Sequence, residues 1–117
     1  MVATPATAAG NAEKGRAIAE QHCSRCHVVA AHNPMGGANN TASFPMIIKM
    51  DDGLERFQPF YARRPHPVFL RIPGVARWSN APANAAEITI TLEQVDDIVA
   101  FAKTLEKVPI RRKGDRP

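Results

Sequence analysis

The sequence predicts one small domain whose regular elements are helices, and three observations predict it. Asn11, with Glu13 just after it, reads as the capped start of a helix. Leu54, Phe57, Phe60 and Tyr61 recur at helical spacing. Thr91 and Gln94 form a capping box ahead of an apolar stripe of Leu92, Val95, Ile98, Val99, Ala102 and Leu105.

Taken in order, residues 1–10 are an Ala- and Thr-rich leader, residues 11–108 the domain, and residues 109–117 a basic tail. Good helix formers around Gly15 carry the first helix from Ala12 to about Gln21. Pro34, Gly36-Gly37 and Asn39-Asn40 make residues 30–40 a loop. Ser43 caps a short helix through Met46, Ile47, Ile48 and Met50, with Pro45 tolerated in its first turn. Asp52 caps another, from Leu54 to about Ala62, which has to stop near Arg64 because Pro65 disfavours helical geometry before it. From Pro65 to about Ile90 no periodicity persists, and a loop this long in a small domain usually wraps a ligand or carries function. The Thr91 helix closes the domain, with Lys103 and Lys107 facing its C-terminal dipole before Pro109.

A chain of 117 residues, with 44% hydrophobic and 22% charged residues, has the composition of one folded domain and excludes a disordered or collagen-like chain. No apolar run approaches the roughly 18–20 residues of a transmembrane helix. Aromatics are only 6%, so a prosthetic group or other staple would help complete so small a core. The net charge of +4 favours acidic partners, but no aromatics interleave with Arg111-Arg112-Lys113 and no nucleic-acid-binding pattern is present. The tail reads as a mobile solvated end, or as a patch that steers docking to an acidic partner.

Both cysteines lie in Cys23-Ser24-Arg25-Cys26-His27, the attachment signature of c-type haem. Two thiols on one helical turn each add to a haem vinyl group, and the adjacent imidazole becomes the proximal iron ligand. Other readings fit less well. A thioredoxin-like pair wants a buried strand before Cys23, a zinc site wants wider ligand spacing, and a Cys23–Cys26 disulfide closes too small a loop to stabilise much.

With that pentapeptide in place, the chain resembles the small class I c-type cytochromes from Asn11 to about Lys107. The matching features are Gly15-Arg16-Ala17 ahead of the pentapeptide, Ser43-Phe44, Pro65-His66-Pro67, and the closing Asp97-Ile98-Val99-Ala100-Phe101. The resemblance implies an all-α, cytochrome c-like fold of three to five helices around one covalently bound haem c, with the first and last helices crossing. It also implies export to the periplasm or another non-cytoplasmic space, where such proteins receive their haem, with the signal peptide absent from this chain. The function expected is one-electron transfer between redox partners such as a dehydrogenase and an oxidase, by a monomeric carrier rather than an enzyme.

The chain departs from the family at the sixth iron ligand. Family members usually offer a methionine a few residues after a Pro-His pair, but here Pro67-Val68-Phe69 follows, and no methionine occurs after Met50. The remaining donors are His22, Met35, His32, Met46, Met50 and His66, of which His22 is expected to point away. Three arrangements stand as alternatives: His66; one of Met35, Met46 and Met50; or an open or water-occupied position with Phe69 and Ile72 closing the distal pocket. In their bland roles His66 shapes a turn between two prolines and the methionines pack the core. An open position would make this a protein that binds a small gas or reacts with peroxide. Trp78 is either a cover for the haem edge donating to a propionate or simple core filling. Arg63, Arg64, Arg71 and Arg77 are candidate propionate partners, most of them expected to be solvated.

Overall fold

The computed structural model describes residues 10–33, 36–37, 41–76 and 86–108. Among them run four α-helices: α1 (Ala12–His22), α2 (Phe44–Ile48), α3 (Gly53–Phe57) and α4 (Leu92–Thr104). Short 3-10 turns lie between and after them, so the all-α expectation holds at this level.

Local chemistry sets the helix starts. The Asn11 side chain accepts from the Lys14 N–H at 2.9 Å, and Ser43 does the same for Met46 at 3.2 Å. At α4 the capping box is complete: Gln94 N–H donates to Thr91 Oγ1 (3.0 Å) and Thr91 N–H to Gln94 Oε1 (2.9 Å). Asp52 precedes α3 but makes no cap bond, because its carboxylate is taken by Arg56 Nε at 2.9 Å.

Two elements differ from the sequence expectation. The helix expected to reach Ala62 stops at Phe57, and a separate 3-10 turn covers Phe60–Ala62. Pro59 is the reason: it has no N–H to continue the ladder, and its ring opposes the preceding turn. The long loop after Pro65 holds a 3-10 turn at His66–Val68 and one strand, β1 (Leu70–Arg71), that pairs in parallel with β2 (Ile88–Thr89). Two residues are too short a run for alternation to register in a sequence.

The core forms where α1 and α4 cross. Gly15 is buried there, and a Cβ placed on it would lie 1.8 Å from the Asp97 carbonyl oxygen. Gly10, assigned by sequence to the leader, approaches the backbone of Asp96 in the same way. The Asn11 N–H donates to Asp97 Oδ1 at 2.7 Å, which gives that buried carboxylate a partner at the crossing. Ala19, Ile98 and Ala102 fill the contact, joined by Val95, Phe101 and Leu105. Leu92, counted in the apolar stripe, is instead 47% exposed at the first turn of α4.

Candidate functional site

α1 delivers the pentapeptide. Its last turn passes into a 3-10 turn over Cys23–Arg25, with the N–H groups of Cys26 and His27 both donating to the Cys23 carbonyl (3.1 and 2.9 Å). Ser24 Oγ donates to the Glu20 carbonyl at 2.6 Å. The following backbone is clamped by Asn33, whose amide nitrogen donates to the His27 carbonyl (2.8 Å) and the Ser24 carbonyl (3.2 Å). Its oxygen accepts from the Val29 N–H at 2.6 Å. Asn33→Ala removes all three bonds and is expected to cost about 2–3 kcal/mol, read as a lower urea midpoint at unchanged slope.

Cys23, Cys26 and His27 all line one cavity of about 410 Å³, within the roughly 300–1,000 Å³ of small-molecule and cofactor sites. Phe44, Phe57, Leu70, Ile88, Ile90 and Ile98 are among the residues of its apolar wall. Burial pushes the Cys23 thiol up to about 12. A redox pair depends on a stabilised thiolate, so this environment disfavours that chemistry and suits a thiol held beside an apolar partner.

His27 has its ring fixed: Nδ1 meets the Ala42 carbonyl at 2.6 Å, and Phe44 packs edge-on with centroids 5.3 Å apart. A carbonyl only accepts, so Nδ1 carries the proton and Nε2 keeps its lone pair. Burial also lowers the pKa of His27, outweighing the opposing effect of the Ala42 bond, and favours the neutral imidazole.

His66 is built the same way. Its Nδ1 meets the Arg63 carbonyl at 2.9 Å, Phe60 packs edge-on at 5.3 Å, and Phe69 lies against it at 5.7 Å. Burial is the main cause that lowers its pKa as well. The rings of His27 and His66 line the same cavity, 6.3 Å apart between centroids and within 4° of parallel.

The other candidates separate. Phe69 is in the wall, whereas Ile72 is buried in the core away from it. Met50 contributes to the wall but is 39% exposed, and Met46 is 43% exposed and outside the wall. His22, expected to face away, contributes to the wall from the end of α1. His32 sits by Glu20 at 3.9 Å. Arg63 and Arg64 line the cavity, as do Arg25 and Arg56, which the sequence reading did not single out. Arg71 does not; it donates to the Pro67 and Leu70 carbonyls at 3.0 Å and pairs with Glu87 at 3.3 Å. Its role is to hold the loop that carries His66 and Phe69. Trp78, Met35, Arg77 and the basic tail lie outside the described residues.

Asn33 is the structural residue that sequence reasoning missed, since it was read only as part of a turn-rich stretch. No three His, Cys, Asp or Glu side chains converge as a direct metal cluster among the described residues. Nor is any helix among them long and apolar enough to cross a membrane. Comparison with protein-family models, curated proteins and solved structures found no match.

Proposed function

We propose that this chain is a monohaem c-type cytochrome with a cytochrome c-like fold, an exported one-electron carrier between larger redox proteins. One observation carries the reading: the two thiols and the imidazole of a single Cys-x-x-Cys-His segment line one apolar cavity, with the imidazole's Nδ1 turned to a backbone carbonyl. The donor set fits the group. Cys23 and Cys26 would hold haem by thioether bonds, and His27 Nε2 would ligate its iron.

When bound, haem supplies one-electron chemistry through its ferric and ferrous states. The chain's own residues do the rest. The Ala42 carbonyl fixes the His27 tautomer and raises the basicity of Nε2. Phe44, Phe57 and Ile98 exclude water, which lowers the reorganisation that each change of charge demands. Arg63 and Arg64, exposed at the cavity, offer cations to the acidic groups of the cofactor. The surrounding α1–α4 crossing is closely packed, which suits a carrier that gains and loses an electron without large rearrangement.

The test is production in a host that attaches haem to Cys-x-x-Cys-His chains. The expected product is coloured, heavier than its polypeptide by one haem that survives organic extraction, and reversible over one electron in potentiometric titration. A colourless product of bare polypeptide mass overturns the proposal.

A further inference from the structure

Among the described residues, the Nε2 lone pairs of His27 and His66 have no partner. Each Nδ1 is engaged by a carbonyl, so each Nε2 is an acceptor, and among the described residues nothing donates to either. Two acceptors cannot hydrogen-bond each other, and leaving both unsatisfied inside an apolar cavity is costly. One electron-pair acceptor shared between the two imidazoles would satisfy both lone pairs.

The separation fits the same answer. Direct face contact would put the rings about 3.5–4 Å apart, closer than the observed 6.3 Å. With about 2.0 Å for each metal–imidazole bond and roughly 1.1 Å from nitrogen to ring centre, two imidazoles on opposite sides of one metal ion place their centroids roughly 6.2 Å apart.

We infer that His66 is the second axial ligand, so that the iron is held between His27 and His66. The inference rests on the haem reading above and, among the described residues, chooses His66 over Met46, Met50 and an open position. Met46 is outside the cavity wall, Met50 lines it but is 39% exposed, and Met35 lies outside the described residues. The distal place is filled by a ring that Phe60 and Phe69 hold from two sides and the Arg63 carbonyl from a third. Two neutral imidazoles stabilise ferric iron more than a thioether does, which lowers the reduction potential, and an added gas has to displace one of them to bind. The site therefore belongs to a carrier rather than to a gas binder or a peroxide-reactive protein.

The matured, haem-loaded protein is the material for the test. Its ferric form is expected to be low-spin, without the near-infrared band of sulfur-ligated haem, and with the rhombic EPR signal of near-parallel imidazole planes. Its ferrous form is expected to bind CO slowly. His66→Ala should turn the ferric spectrum high-spin or water-ligated and speed CO binding at least about tenfold, and added imidazole should restore the low-spin spectrum. A sulfur band in the parent protein overturns the inference, as does a high-spin parent or a His66→Ala protein with unchanged spectra. The parent spectra decide even if His66→Ala does not accumulate. Each of these outcomes requires attached haem, so a colourless product tells against the cytochrome reading instead.

Discussion

Replacing Cys23 and Cys26 together by alanine is expected to yield a colourless protein that no longer unfolds cooperatively. The chemical part is direct, since the substitution removes both sulfurs that form thioether bonds. The energetic part follows from the cavity. At about 24 cal/mol per Å³ of residual cavity, a volume of about 410 Å³ corresponds to about 10 kcal/mol, comparable to the whole stability of a domain this size. The wall loses its partner on several sides at once, and the faces that Phe44, Phe57 and Ile98 turn to the cavity lose their contacts. Far-UV circular dichroism through a thermal ramp, beside the intact mass, checks both halves. A double variant that unfolds as sharply as the parent would mean that the core closes without a cofactor.

Gly15→Ala is expected to destabilise the fold by about 3 kcal/mol, against the direction of helix propensity. In an exposed helix interior the same change stabilises by about 0.4–1 kcal/mol. Here the new methyl would fall 1.8 Å from the Asp97 carbonyl oxygen and 2.3 Å from its carbon. That obstacle is α4 backbone, which cannot rotate aside as a long side chain can. The helices have to separate, and the contacts of Ala19, Ile98 and Ala102 loosen with them. Urea unfolding gives the sign directly; a variant as stable as the parent would show that the crossing accommodates a side chain. Gly15→Val is expected to be worse, since its branched side chain adds bulk at the same approach.

The helix starts were legible because they are local. Asn11, Ser43, Thr91 and Gln94 bond to backbone groups three positions away, and such bonds need nothing from the rest of the fold. The stripe from Val95 to Leu105 was legible for the same reason, since its period is that of the helix itself. The end of α3 is legible in Pro59, which breaks the helix that the apolar spacing of Leu54 to Tyr61 suggests. The β1–β2 pair was not, because four residues leave no pattern and the pairing joins segments far apart in the chain. Arg71, grouped by sequence with the candidate propionate partners, braces its loop instead, because a guanidinium takes whichever carbonyls the backbone brings within reach.

By itself the sequence determined the helices and the pentapeptide, whose two thiols and imidazole are adjacent in the chain and so come to one place whatever the rest does. Tertiary structure alone decided what faces His27. His66, Met35, Met46 and Met50 were equivalent donors as letters; packing set the His66 ring opposite that of His27 and left Met46 and Met50 partly exposed. A ring's orientation is set by the carbonyl that holds its other nitrogen, and Ala42 and Arg63 take their places only when the chain has folded.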